Sequence, residues 1–258
     1  MLGAIIGDIA GSRFEFANTF DYNFKLFTNE CDFTDDTICT IAVADCILHE
    51  SDDYGSYIHK WCRKYPNPMG CYGGRFAEWV RSDSPMPYNS FGNGAAMRVS
   101  PIGFWFKNLC KLEEAAAKSA ICSHNHEEGI RGACAVARAI SFTQIGSNCD
   151  GKKMAVDAIA DRYYPGYKER EYIRGVFDET CQGTVPLCFM IIQESNSFED
   201  AIRNAISFGG DSDTIGAIVG GIAEAVWGVP DSLKKKAEKY LPVEMLKVIR
   251  EFYQKMND

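Results

Sequence analysis

The sequence predicts an all-α protein, built as one compact multi-helix domain over residues 1–258. Three observations carry that expectation. Apolar residues recur at helical spacing along most of the chain. No segment alternates polar and apolar residues over the several positions a half-buried strand needs. No linker or domain-length repeat interrupts the pattern. At 46% hydrophobic and 24% charged, the composition is that of a globular protein, and 258 residues are enough to bury most of the apolar surface on folding.

The elements follow in order. An apolar helix runs through the first eleven residues, carrying Gly3, Gly7 and Gly11 at every fourth position and a single carboxylate, Asp8. Ile38 to Leu48 is apolar enough to be a buried helix. Leu112 to Cys122 opens with two glutamates, which suits the positive end of a helix dipole, and Glu127 to Phe142 continues as an alanine-rich helix. Lys152 to Tyr163 and Ser197 to Phe208 are amphipathic, the second with Ser197 as N-cap and Asp200 three residues on. Ile215 to Trp227 is nearly all apolar, carries Gly216 and Gly220, and is stopped by Gly228 and Pro230. Asp231 to Tyr240 and Val243 to Met256 read as charged surface helices. Ser82 to Gly94, with prolines and Gly-Asn-Gly, is the longest irregular stretch, and a long structured loop in a compact helical protein is more often functional than not. Glycine costs about 1 kcal/mol relative to alanine inside a helix, so the two glycine stripes imply a close approach to the backbone, read as helix–helix contact.

Charge and cysteine content narrow the class. A net charge of −8 argues against broad binding to nucleic acid or membrane surfaces, so neither is expected as a partner. The eleven cysteines are scattered, without metal-ligand spacing, and are expected to be reduced and mostly buried. The apolar start lacks a basic leader region and is broken by Asp8, which predicts a cytoplasmic protein; a monomer is expected.

Two acidic clusters carry the chemistry: Thr34-Asp35-Asp36-Thr37 and Asp211-Ser212-Asp213-Thr214, each running into an apolar helix. One residue suffices to cap a helix, yet each cluster supplies two carboxylates and hydroxyls beside them. Carboxylates held close in a buried setting need a positive partner, and hard divalent cations take such oxygen ligands. Brought together by folding, the clusters would form a two-metal site. Asp8 has the alternative role of bonding a neighbouring helix end. Glu15, between Phe14 and Phe16, is either a surface glutamate or a carboxyl whose apolar setting raises its proton affinity toward that of a general acid or base. Gly92-Asn93-Gly94 precedes Ala95-Ala96-Met97-Arg98 and would expose backbone N–H groups to phosphate or ribose oxygens. Ser123-His124-Asn125-His126 lacks partner ligands and reads as hydrogen-bonding residues at a helix junction.

These motifs, in this order along almost the whole chain, resemble those of the ADP-ribosylglycohydrolases. Gly7-Asp8 with Gly11 and Glu15, the TDDT run, Gly92-Asn93-Gly94 with Met97-Arg98, Ser123-His124 and Gly209-Gly210-Asp211-Ser212-Asp213-Thr214 all match; the TDDT and GGDSDT pair is the specific part. The resemblance implies an all-α fold around a buried binuclear magnesium or manganese centre. It assigns Thr34, Asp35, Asp36, Asp211, Asp213 and Thr214 as metal ligands, and Glu15, Asp36 and Asp211 as catalytic residues. It lines the ADP-ribose cleft with Gly92, Asn93, Gly94 and His124. The implied reaction is hydrolysis of the glycosidic bond between ADP-ribose and an acceptor: a modified protein side chain, a nucleic acid or a small conjugate. The chain is short for the family, so loops at the cleft rim are expected to be trimmed. Two other readings stand beside it: a metal-dependent phosphoester hydrolase, and a non-catalytic ADP-ribose-binding protein of the same fold.

Overall fold

The computed structural model describes residues 1–257, and every regular element in it is helical; the one isolated β-bridge joins Gly92 to Thr180. The α-helices are α1 (Leu2–Gly11), α2 (Asp35–Leu48), α3 (Tyr54–Lys64), α4 (Gly74–Arg81), α5 (Gly94–Met97), α6 (Ser100–Trp105), α7 (Leu109–Ile121) and α8 (Glu127–Phe142). Then follow α9 (Cys149–Tyr163), α10 (Cys181–Glu194), α11 (Phe198–Phe208), α12 (Ser212–Trp227), α13 (Asp231–Ala237) and α14 (Val243–Asn257).

At the centre lie α1 and α12, every residue of α1 being buried. Their contact is backbone on backbone. A methyl group on Gly7 would overlap the Gly216 carbonyl, one on Gly3 the Gly220 carbonyl, and one on Gly11 would sit 2.6 Å from the Asp213 Cα. The glycine stripes are therefore the helix–helix seam, and the seam runs into the second acidic cluster. The remaining helices wrap this pair: α2 and α11 pack on it, α8 and α10 cover α12, and α14 lies against α2.

Several boundaries differ from expectation for identifiable reasons. Helix α2 starts at Asp35 rather than Ile38, and α12 at Ser212 rather than Ile215, because the acidic clusters form the first turns themselves, where carboxylates face the positive helix end. Ser197 caps α11, accepting from Asp200 N, as the sequence predicts. Helix α14 is more than a charged surface helix: Met245, Val248, Ile249 and Phe252 are core residues. The 231–240 segment is α-helical to Ala237 and closes in a 3-10 turn. Helices α3, α4, α6 and α10 are additional to those expected. Helix α10 survives Pro186 inside it because the Gln182 carbonyl, which proline cannot serve, accepts instead from Arg170 Nη1 at 3.1 Å. All eleven cysteines are unpaired, six of them buried. Among the described residues no helix is long and apolar enough to cross a membrane.

The seam gives a direct test. Gly7→Val should lower stability by about 3 kcal/mol or more, since backbone rather than a movable side chain opposes the new atoms. Gly74→Ala, with nothing within 4 Å of its Cβ position, should shift it by no more than about 0.5 kcal/mol. Urea denaturation of the two variants checks the contrast.

Candidate active site

The site is assembled at the helix starts that the central seam brings together. Asp8 points from α1 at the start of α2. Its carboxylate accepts from Thr34 N and Thr37 N, both at 3.1 Å, from Thr34 Oγ1 at 2.7 Å, and from Thr37 Oγ1. Asp8 thus has the helix-end role named as its alternative. Thr34 is the N-cap of α2, accepting from Asp36 N at 3.2 Å. With its cap thus satisfied, α2 leaves the Asp35 and Asp36 carboxylates free for other work.

Asp211 is the N-cap residue of α12, yet its side chain makes no capping bond. Its Oδ2 accepts instead from Asn93 Nδ2 at 2.6 Å, and the same Nδ2 contacts Thr184 Oγ1 at 3.2 Å. The two clusters touch: Thr214 Oγ1 donates to Asp36 Oδ2 at 3.2 Å across 178 residues of sequence. Glu15 lies just past α1, and its carboxylate forms with Asp211 and Asp213 a group whose oxygens lie within 4.8 Å of one another.

These carboxylates face one cleft of about 460 Å³. Glu15, Asp35, Asp36, Asp211, Asp213 and Thr214 line its floor; Gly92, Asn93, Gly94 and His124 line one wall. Thr34 is buried beneath the floor, its hydroxyl turned to Asp8 and Asp36, and does not line the cleft. Asn93 is 6% exposed and spends its amide on Asp211 and Thr184, so it supports the floor as well as lining the wall. Ser123 and His124 sit at the junction of α7 and α8, and His126 caps α8 by accepting from Glu128 N, as expected for hydrogen-bonding residues there.

Electrostatically the floor is crowded. Burial raises Asp35, Asp36 and Asp213 well above the usual carboxylate range, with repulsion from neighbouring carboxylates adding to it. Glu15 is pushed up to about 7, by burial first and then by Asp211, Asp8 and Glu179. Burial also raises Asp211, against the hydrogen bond from Asn93. Three buried carboxylate oxygens of the floor have no hydrogen-bond partner among the described residues: Glu15 Oε2, Asp36 Oδ1 and Asp213 Oδ1. The cationic side chains lining the cleft do not meet them. Arg75 is bonded to the Tyr88 carbonyl and Arg98 to Ser119 and Ser123. Five carboxylates, orphaned oxygens and a threonine hydroxyl converging without a protein cation fit hard divalent metal ions.

The cleft also contains residues that sequence reasoning missed. Gly70 to Gly74 forms a rim against Glu15: Gly70 has φ +78°, and a side chain there would overlap the Glu15 carboxylate. A glycine-rich run opening a helix is the same signal that singled out Gly92–Gly94 and could have found this segment. Glu179, an exposed loop residue at the cleft, carries no such signal.

A family model for ADP-ribosylglycohydrolase matches residues 1–257. The chain belongs to the ADP-ribosylglycohydrolase family. ADP-ribosylhydrolase ARH3 of Homo sapiens is 24% identical over 326 aligned positions, covering 95% of this chain and 90% of that protein. ADP-ribosylarginine hydrolase Tri1 of Pseudomonas putida is 24% identical, covering 93% and 72%, and the ADP-ribosyl-[dinitrogen reductase] glycohydrolase of Rhodospirillum rubrum 24%, covering 89% and 85%. A solved structure described as an ADP-ribosylglycohydrolase-related protein complex superposes with a TM-score of 0.73 at 21% identity, over 98% of this chain and 96% of that one, so the fold is shared. The human alignment is longer than this chain, so the relative carries insertions that this family member lacks. Membership makes the chain a glycohydrolase that removes ADP-ribose from an acceptor.

The Asn93–Asp211 bond yields a prediction. Asn93→Ala should leave the fold intact but weaken divalent-cation affinity about 10–100-fold, the usual effect of losing the partner that orients a carboxylate ligand. Isothermal titration calorimetry with manganese checks it.

Proposed function

We propose that the cleft holds two divalent cations, magnesium or manganese, and uses them to cut the bond between ADP-ribose and its acceptor at the ribose C1″ carbon. The observation that carries this is the set of three partnerless carboxylate oxygens, on Glu15, Asp36 and Asp213, at one cleft floor. Asp35, Asp36, Asp211, Asp213 and Thr214, which line the cleft, would be the ligands, and Thr34, expected among them from the resemblance, would instead hold Asp36 in place from beneath the floor. Bound cations would supply Lewis acidity toward the ribose hydroxyls and lower the pKa of a water near C1″.

The chain's own residues do the rest. Asp8 and Thr34 fix the start of α2, so Asp35 and Asp36 are held before any ligand arrives. Asn93 fixes Asp211 in the same way. Glu15 is half-buried at the edge of the cluster, where burial raises its proton affinity in the bare protein, and its place beside Asp211 and Asp213 puts it in position to pass a proton between water and leaving group. Asp36 and Asp211, each oriented by a neighbouring donor, are the other carboxylates placed to share that work. The turn at Gly92–Gly94 and His124 would receive the ADP-ribose itself. Modified protein side chains, nucleic-acid ends and small conjugates are the acceptors this reading covers. No observation favours a phosphoester hydrolase or a non-catalytic binder.

Three outcomes test the reading. EDTA should abolish ADP-ribose release from a panel of modified arginine, serine and nucleic-acid substrates, with magnesium or manganese restoring it and no AMP or phosphate formed. Glu15→Gln should lower kcat by about 10²–10⁴-fold while retaining ADP-ribose binding, and Asp211→Asn should abolish turnover with the circular dichroism unchanged. Near wild-type release by Asp211→Asn would contradict the proposal.

A further inference from the structure

The cleft wall holds a buried cation that the reaction does not use. Arg98 is 0% exposed and is bonded to no carboxylate among the described residues. Its Nε and Nη2 donate to the Ser119 carbonyl at 3.2 and 2.7 Å, and Nη2 also donates to Ser123 Oγ at 3.0 Å. Ser123 Oγ in turn lies 2.8 Å from His124 Nδ1.

Hydrogen-bond accounting decides which way that last bond runs. Arg98 can only donate, so it occupies one lone pair of Ser123 Oγ. The serine proton then needs an acceptor. Besides Nδ1, the one other acceptor in hydrogen-bond range among the described residues is Cys122 Sγ at 3.9 Å, a weak acceptor at long range. Were Nδ1 to carry the ring proton, the hydroxyl proton of a fully buried serine would be left without a proper partner, which is costly. The proton therefore goes to Nδ1, and the ring proton sits on Nε2.

Two further features make this matter. The Nε2 edge faces the turn that would receive ADP-ribose, lying 3.4 Å and 3.1 Å from where side chains on Gly92 and Gly94 would begin. Neither glycine has a positive φ, so neither is required by backbone conformation; what their missing side chains do is leave Nε2 uncovered. The ring is held between Phe76 and Tyr88, with centroids 6.2 and 5.8 Å away, and α8 closes behind it at Gly129.

We propose that Arg98 and Ser123 are positioning residues that lock His124 as a neutral Nε2–H donor aimed at an oxygen of bound ADP-ribose. Burial, and after it the Arg98 charge, push the imidazole well below its usual pKa, so the donor stays neutral through the physiological range. The Tyr88 phenol packed on the ring is raised to about 12 by burial and stays neutral there too. A neutral donor backed by a buried guanidinium gives the wall a positive potential without a titrating charge. The inference rests on the reading of the cleft as an ADP-ribose site, but its first test does not.

That test is 15N NMR of histidine-labelled protein, with His124 assigned by its loss in His124→Gln. Nδ1 should give the shift of an unprotonated nitrogen and Nε2 that of a protonated one, unchanged from pH 5.5 to 8. A protonated Nδ1, or a ring that titrates within that range, overturns the proposal. The second test is calorimetric binding of ADP-ribose. Ser123→Ala should raise Kd about tenfold, the loss of one well-made hydrogen bond, while Ser123→Thr, which keeps the hydroxyl, should bind like wild type. Wild-type affinity in Ser123→Ala, with an unchanged melting temperature, also overturns it. If the wild type itself fails to bind ADP-ribose, the functional reading fails, and the NMR tautomer still judges the relay.

Discussion

Everything at the site depends on how closely α1 approaches α12. Two helices normally keep 8–10 Å between their axes because side chains stand between them. Here Gly3, Gly7 and Gly11 face Gly216 and Gly220 with no side chain intervening, and Gly11 meets Asp213 itself. That contact sets the position of the second acidic cluster against α1. Asp8, one residue beyond Gly7, then carries the constraint to the first cluster by gripping both threonines at the start of α2. One buried seam and one buried carboxylate bring together residues 178 positions apart, and Thr214 closes the circuit on Asp36.

The energetic logic of the site is deliberate frustration. Helix starts normally spend their acidic residues on their own N–H groups. In this chain the capping is delegated: Thr34 caps α2, Asp8 braces Thr34, and Asp211 caps nothing. The carboxylates so released crowd one another in a buried floor, where each raises its neighbours' proton affinity. Such an arrangement is unfavourable in the bare protein, and bound cations would relieve it. The cleft wall is built the other way, around a buried guanidinium, so under the proposed reading an anionic ligand would meet metals on one side and hydrogen-bond donors on the other.

Much of this was legible in the sequence. The TDDT and GGDSDT runs are dense local signals, and the four-residue glycine spacing marks the seam on both of its helices. What could not be read were the partnerships. Asp8 reads in sequence as bonding a helix end but not which one, and Asn93 as the orienter of Asp211 and Thr34 lying beneath the floor rather than on it depend likewise on which groups meet across 26 to 118 residues, which no local pattern encodes. The helices begin three residues before their apolar runs because the polar acidic residues themselves form the first turns, where apolar periodicity gives no signal. Helix α10 was hidden by Pro186, whose cost is offset by Arg170, a residue from another segment. Arg98 is invisible for a similar reason, since nothing in an Ala-Ala-Met-Arg run says that its arginine is fully buried.

The central claim is that the two acidic clusters form one cation-holding centre. Electron paramagnetic resonance of the protein loaded with two equivalents of manganese addresses it most directly. If the clusters share a bridged pair of ions, the spectrum is that of an exchange-coupled manganese pair, lost when Asp36 or Asp211 is replaced by asparagine. An unaltered spectrum of free aqueous manganese, or two isolated and independent ions, would contradict the account.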